Sequence, residues 1–440
     1  MKNLIVGAVG PQVQLLQLAL NRAEGAQLAT DGIFGARTRA ALLRFQANNG
    51  LAADGAALGA THRALMPYYT GFAEHKIRRG DTLFNVAQGY GTSVAAVVTA
   101  NPGAAAQSLR IGSSLVVPLP FEVVPTTISF TAELVGYCVR GIAARYPFVR
   151  TGSLGRSVMG KPLWYLALGG GEDRVFYSAA HHANEWITTP LLLRFAERLS
   201  CEYARGGAIL GRSAAEILQR TSIYIAPCVD PDGVDLVTGA LTDGEYYRGA
   251  RRIAQSYPAV PFPSGWKANI LGTDLNLQYP AGWEQARKNK FAQGVAGPAP
   301  TDFVGTAPLS APESRAMYDF TLSLSPRLVL AYHTQGRVIY WRYLDREPPG
   351  SRELVEAMAA AVPRLRPGEL DRVVAHAGGA GAVPRPDDAP FASGFAGYKD
   401  WFIQTFDRPG FTVEAGLGQN PLPISQFETI WRNNLGILLP

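Results

Sequence analysis

Cysteine is scarce in this 440-residue chain, with only Cys138, Cys201 and Cys228 present. So few, so irregularly spaced, exclude a disulfide framework and a cysteine-based zinc site, and they read as buried thiols. Charge is thin as well, at 17% of residues, and the net +6 comes from 41 basic against 35 acidic side chains without any block of one sign. That balance tolerates an anionic polymer but supplies no nucleic-acid tail. Long apolar runs are missing too: the stretch at 4–10 is broken by Pro11 and Gln12, far short of the roughly 20 residues of a membrane helix and without a signal-peptide core. The expectation is no membrane span and no visible export signal, which leaves the compartment open. What remains is an ordinary globular composition, 47% hydrophobic, and a length that suggests about three domains.

Residues 12–65 carry two apolar stripes at helical spacing, Val13, Leu16 and Leu20, then Leu42 and Phe45. Between them stands Asp31-Gly32-Ile33-Phe34-Gly35. A weaker copy, Asp54-Gly55-Ala56-Ala57-Leu58-Gly59, leads to Thr61 and Leu65 as the first leads to Thr38 and Leu42. The duplication predicts two turn-then-helix units packed together. Singly, such Asp and Gly residues make turns and caps. The full string, Asp31-Gly32-x-Phe34-Gly35-x-x-Thr38-x-x-Ala41-Leu42-x-x-Phe45-Gln46, resembles the small three-helix peptidoglycan-binding domain of many wall hydrolases, with an expected span of 1–70.

In the next segment, Ile77-x-x-Gly80-Asp81-Thr82-Leu83 precedes Val86-Ala87, Asn101-Pro102 and Val117-Pro118. Gly80-Asp81-Thr82 ends a strand and caps a helix, and Asn101-Pro102 stops a later helix. The ordered string resembles a LysM domain, a βααβ fold that binds N-acetylglucosamine-containing glycans, expected at 74–119. Pro118, Pro120 and Pro125 then read as a semi-rigid linker.

From about 126 onward, short apolar runs at 163–168, 175–180, 222–227, 328–332 and 411–414 alternate with helical stretches that include 188–203, 352–361 and 426–435. This pattern predicts one α/β domain, placed at 125–440, whose ligand groups stand where strands run into loops. Residues 378–390 read as a loop.

Histidine is the other scarce residue, six in all, and one cluster has ligand spacing. His182 and Glu185 stand at i and i+3 directly after the 175–180 run, and His333 closes the 328–332 run. Two His, one Glu and an open position make a catalytic zinc arrangement. A His-x-x-Glu pair alone fits a solvated helix start equally well. His181 is the alternative to His182, but only His182 keeps the i, i+3 relation.

The segment Ala180-His181-His182-Ala183-Asn184-Glu185-Trp186 resembles the metal motif of the zinc carboxypeptidase family. His333-Thr334-Gln335-Gly336 and Phe411-Thr412-Val413-Glu414-Ala415-Gly416 match its later His and Glu, and Asp230-Pro231-Asp232-Gly233-Val234, Gly272-Thr273-Asp274-Leu275-Asn276 and Lys399-Asp400-Trp401 extend the match. The resemblance implies a mixed central sheet and one Zn2+ per chain, held by His182, Glu185 and His333. It also implies Glu414 as general base toward the attacking water; a structural Glu414 paired with a cation is the alternative. By the same resemblance, Lys267 stands for an arginine that stabilises the oxyanion, Asn276 for a substrate-binding residue and Tyr398 for a tyrosine lining the site, although its offset from Asp400 departs from the family.

Two further departures concern the substrate. Carboxypeptidases hold a free C-terminal carboxylate with an Asn-Arg pair, and here Asn276 is followed by Leu277; the Arg of their His-x-Arg-Glu motif is Asn184. Losing two guanidinium groups removes the bidentate carboxylate grip. With two wall-binding modules in front, the architecture resembles the γ-D-glutamyl-meso-diaminopimelate endopeptidases of sporulating and related bacteria. This implies zinc-dependent cleavage of the γ-D-glutamyl–diamino acid amide bond. Its partners would be peptidoglycan glycan strands and stem peptides, not nucleic acid, in a cell-wall-associated or sporulating-cell setting. Two other readings stay open. Leu277 and the glycan modules stand against an ordinary metallocarboxypeptidase, and the intact His182, Glu185, His333 and Glu414 set stands against an inert wall-binding protein.

Overall fold

The computed structural model describes residues 2–104, 109–361 and 395–439; the loop expected at 378–390 lies outside them. Helices α1 (Pro11–Glu24), α2 (Ala36–Asn48) and α3 (Gly59–Thr70) form the first module. Its duplication is physical. The Gln17 amide nitrogen lies 2.7 Å from Asp31 Oδ1 and 3.2 Å from Thr38 Oγ1, while its oxygen accepts from the Gly32 N–H. Gln46 repeats this with Asp54 at 2.8 Å, Thr61 at 3.1 Å and the Gly55 N–H. Each buried glutamine thus satisfies the polar groups of one turn that burial would otherwise leave unpaired.

Strand β1 (Phe72–Lys76), helices α4 (Leu83–Gly89) and α5 (Val94–Ala100), and strand β2 (Ser114–Pro118) make the expected βααβ unit, with β1 and β2 antiparallel. Thr82 caps α4 in a reciprocal capping box with Asn85. The Asn101 side chain donates to the Val97 and Val116 carbonyls and accepts from the Val116 N–H, tying the end of α5 to β2.

The remainder is built on a seven-stranded sheet. After helix α6 (Ala132–Arg145) come β3 (Arg150–Arg156), β4 (Pro162–Leu168) and β5 (Asp173–Ala179). Helix α7 (Thr188–Ala204), a short hairpin of β6 (Ala208–Ile209) and β7 (Arg212–Ser213), helix α8 (Ala214–Arg220), β8 (Thr221–Ala226) and helix α9 (Pro231–Thr238) follow. The last strands are β9 (Leu328–His333), β10 (Val338–Tyr340) and β11 (Gly410–Glu414). The order is β10-β11-β9-β5-β8-β4-β3, with β11, β9, β5 and β8 parallel and β10, β4 and β3 antiparallel to their neighbours. The sheet is therefore mixed, with its parallel strands central and covered by helices on both faces.

Side-chain alternation divides the core. Val175, Tyr177, Leu328, Leu330, Tyr332, Phe411 and Val413 face the α7 side, whereas Phe176, Val329 and Ala331 join the opposite layer with Phe402 and Met317. One step further along each strand, this parity puts His333 and Glu414 on that second face, and the two are register partners across β9 and β11.

The proline segment after β2 is not a free linker. The Glu197 carboxylate on α7 accepts from the backbone N–H of Val123 at 2.6 Å and of Val124 at 3.0 Å. Arg145 reaches the Gly71 and Leu119 carbonyls, both at 2.6 Å through Nη2, and Arg22 reaches those of Tyr68 and Glu122. Tyr69 of α3 stacks on Tyr137 of α6 at 5.6 Å. Gly141 makes this approach feasible, since a Cβ there would stand 2.0 Å from the Thr70 carbonyl oxygen. The helical module and the sheet domain accordingly share one apolar core. Among the described residues, no helix is long and apolar enough to cross a membrane.

Glu197→Ala leaves two buried N–H groups without an acceptor and Arg145 without its carboxylate. It should lower stability by about 3–5 kcal/mol, read as a reduced denaturation midpoint. The α8 surface change Gln219→Ala should alter the unfolding free energy by no more than about 0.5 kcal/mol.

Candidate metal centre and active site

The site is assembled at the carboxyl ends of the parallel strands. β5 ends at Ala179, and a single 3₁₀ turn, Ala183–Glu185, follows. His182 is still extended while Glu185 closes the turn, so the i, i+3 pair converges. His333 is the last residue of β9 and Glu414 the last of β11. The turn is braced from beneath: the Ala180 N–H donates to Thr188 Oγ1 and the Ala183 N–H to the Lys267 carbonyl. Helix α9 presses against it at Gly233, where a Cβ would come within 2.7 Å of Ala183 Cβ and 2.8 Å of the Ala268 carbonyl oxygen. Only glycine permits that contact.

Three donor side chains converge. His182 Nδ1 is 2.9 Å from Glu185 Oε1, His333 Nδ1 is 2.8 Å from Glu185 Oε2, and the two Nδ1 atoms are 3.2 Å apart. All three residues are buried, and among the described residues they are the one group of three or more His, Cys, Asp or Glu with metal-ligand convergence. Tetrahedral ligands about 2.0–2.1 Å from zinc stand about 3.3 Å from one another, so the donor set fits zinc after a slight expansion. Two imidazoles, neutral once they ligate, and one carboxylate also match a catalytic site with an open position.

Behind the ligands, Asp274 Oδ1 is 3.1 Å from His182 Nε2. This carboxylate fixes the ring so that Nδ1 faces the metal position. Burial alone would raise Asp274, but His182 and Lys267 outweigh it and hold the carboxyl well below its usual range. Lys267 Nζ stands 3.4 Å from Glu185 Oε1, one third exposed. Burial works against its charge, yet Glu185, Asp274 and Glu414 keep its pKa above that of an ordinary lysine. Burial, joined by the Glu185 charge, pushes Glu414 up to about 8, and its Oε2 has no hydrogen-bond partner. A metal dication nearby acts in the opposite direction.

His181 does not join the ligand set. It is wholly buried, stacked on His333 at 5.6 Å, with Nε2 toward the Tyr279 hydroxyl at 3.4 Å. Burial, then the neighbouring imidazoles, holds it well below its normal pKa, so it stays neutral.

Tyr398 requires a correction: it does not line the site. It begins the helix Tyr398–Phe406, its ring lies fully buried against His181, and its hydroxyl is 2.8 Å from Thr321 Oγ1. Asn276 is half-buried, and its Oδ1 accepts from the Tyr398 N–H at 3.0 Å. Leu277 packs with Trp283, Ala286, Val304 and Ala396. Asn184, at the place of the family arginine, is buried with an unpartnered Oδ1. Asp274 received no role from the sequence, although it stands in the Gly272-Thr273-Asp274-Leu275-Asn276 string; a carboxylate two residues before Asn276 was the available signal.

The family model described as zinc carboxypeptidase matches residues 138–436, a putative peptidoglycan binding domain matches 9–65, and a LysM domain matches 75–118. The chain belongs to the zinc carboxypeptidase family. Gamma-D-glutamyl-L-diamino acid endopeptidase 1 of Lysinibacillus sphaericus is 40% identical over 301 residues, which cover 68% of this chain and 69% of that protein. The uncharacterized protein YqgT of Bacillus subtilis (strain 168) is 36% identical over 304 residues, 68% of this chain and 73% of its own length. In three dimensions, carboxypeptidase A from Helicoverpa armigera superimposes with a TM-score of 0.51 at 18% identity, covering 71% of this chain and 73% of that one. That likeness is one of fold. As a zinc carboxypeptidase relative carrying peptidoglycan-binding modules, the protein is a zinc metallopeptidase, and the convergent triad can hold the ion.

His333→Ala should abolish stoichiometric zinc and hydrolysis together, measured by elemental analysis and peptide cleavage. Asp274→Asn should retain the fold but weaken zinc binding by about 10–100-fold in a chelator competition.

Proposed function

We propose that this protein hydrolyses the γ-D-glutamyl–diamino acid amide bond of peptidoglycan stem peptides. His182, Glu185 and His333 would hold zinc, which when bound supplies Lewis acidity toward a water and the scissile carbonyl. Glu414, on the sheet face of His333, accepts a proton from the attacking water and delivers it to the leaving nitrogen. Lys267 places an ammonium beside Glu185, where negative charge develops on the carbonyl oxygen. The Asn276 oxygen is committed to the Tyr398 N–H, so its amide nitrogen is the group left to donate to substrate.

The observation that carries this reading is Leu277. A substrate carboxylate buried without a cation costs on the order of several kcal/mol, and Leu277 sits in an apolar cluster that offers none. The relative named for γ-D-glutamyl-L-diamino acid cleavage and the peptidoglycan-binding and LysM modules support the same reading, with glycan strands and stem peptides as the partners.

Digestion of purified muropeptides, read by mass spectrometry, should leave L-alanyl-D-glutamate attached to the muramyl sugar and release the fragment that begins with the diamino acid, with negligible trimming of α-linked tripeptides. Rapid removal of C-terminal residues from α-linked peptides would instead establish an ordinary carboxypeptidase. Glu414→Gln should reduce turnover by about 10²–10⁴-fold while zinc content stays stoichiometric.

A further inference from the structure

Linked to the metal ligands through Asp274 is an ion pair that the reaction above does not use. Lys290 Nζ lies 2.5 Å from Asp302 Oδ1, and Thr301 Oγ1 donates to Asp302 Oδ2 at 3.1 Å. The Lys290 side chain is 12% exposed and that of Asp302 37%, so the pair is open to solvent through the carboxylate.

Its position is fixed from both sides. The Asp302 N–H donates to Asp274 Oδ2, while the other oxygen of Asp274 holds His182. The Asp274 N–H donates to the Phe303 carbonyl, and the Lys267 and Ala268 N–H groups both donate to the Pro300 carbonyl. The segment bearing Asp302 is thereby laced to the segments that carry the metal-orienting carboxylate and the active-site ammonium. Asp302 itself stands at φ 70°, in the left-handed region, which aspartate adopts more readily than most side chains. Lys290 comes from the helix Trp283–Ala292, whose Trp283 and Ala286 cover Leu277. The helix whose Trp283 and Ala286 pack on Leu277 thus also carries the ammonium that pairs with Asp302.

We propose that Lys290 and Asp302 form a subsite for the distal head of the diamino acid on the leaving side of the scissile bond, a head bearing both an ammonium and a carboxylate. This rests on the γ-D-glutamyl–diamino acid reading above. A zwitterionic head exchanges two charges for two: its carboxylate pairs with Lys290 and its ammonium with Asp302, and no charge is left alone. A lysine side chain brings only the ammonium and leaves Lys290 without its partner, a mismatch that selects against it.

The test compares kcat/KM for two tripeptides, L-Ala-γ-D-Glu-meso-diaminopimelate and L-Ala-γ-D-Glu-L-Lys, in the zinc-loaded full chain. The wild type should favour the diaminopimelate peptide by about tenfold or more. Lys290→Met and Asp302→Asn should each lose more on that peptide than on the lysine peptide, collapsing the ratio toward one, and Lys290→Arg should restore it. A carboxamide in place of the distal carboxylate should lower the wild-type rate and leave Lys290→Met little further to lose. Parallel losses on both peptides would mean that the pair only holds its helix in place, and a wild type without preference would likewise overturn the subsite. A wild type that cuts neither peptide would overturn the assigned reaction and the subsite with it.

Discussion

Glu185 is a carboxylate at 1% exposure, and a buried carboxylate must be met by positive charge or give up its own. Much of the surrounding chain answers that demand. Two imidazole nitrogens and the Lys267 ammonium approach its two oxygens within 3.4 Å, and the convergence is the one a divalent ion completes. The remaining local features follow. Asp274 orients His182, Gly233 lets helix α9 brace the turn, and the Lys267 segment is hydrogen-bonded to the turn itself. Glu414 feels the same charge from the other side. Burial and Glu185 together hold it up, while a cation at the triad draws it back toward a working base.

The wall-binding modules are joined to this centre more firmly than tethering alone would require. Flexible linkage raises local concentration according to linker length. Here Glu197, Arg145 and Arg22 hold the chain on either side of the LysM unit against α7, α6 and α1 respectively, and the helical module shares the core of the sheet domain. If the modules bind an insoluble polymer, as proposed, that rigidity would present the active site in a restricted set of orientations. The few kilocalories per mole held in such buried polar contacts are a large part of any domain's stability.

The sequence displayed the inner strands plainly. Runs at 163–168, 175–180, 222–227, 328–332 and 411–414 correspond to β4, β5, β8, β9 and β11 within a few residues, because strands covered on both faces are apolar throughout. β3 and β10 were not visible. Arg150–Arg156 is an edge strand of charged, glycine-rich composition, and β10 has only three residues. The duplicated turns were legible, but their pins were not: Gln17 stands 14 residues from its Asp partner, and Gln46, although part of the motif string, pins Asp54 eight residues further on rather than a neighbour. At the site, i, i+3 spacing and the ends of two apolar runs pointed to His182, Glu185 and His333, whereas Glu414 was legible only through the resemblance to the zinc carboxypeptidase family; its place beside His333 follows from strand parity and register in the fold. Tyr398 went astray because a motif offset orders residues along the chain without saying which way a helix's first side chain points. The linker prolines suggested a spacer, and only the fold reveals that Glu197, more than 70 residues away, accepts their neighbours' N–H groups.

The claim that Glu185 organises a His182–Glu185–His333 zinc centre is tested most directly by X-ray absorption at the zinc edge of the purified protein. The spectrum should show only nitrogen and oxygen ligands at about 2.0–2.1 Å, with outer-shell scattering from two imidazoles that falls to one in His333→Ala loaded with excess metal. Sulfur scattering at about 2.3 Å, or an imidazole count unchanged by that substitution, would contradict it.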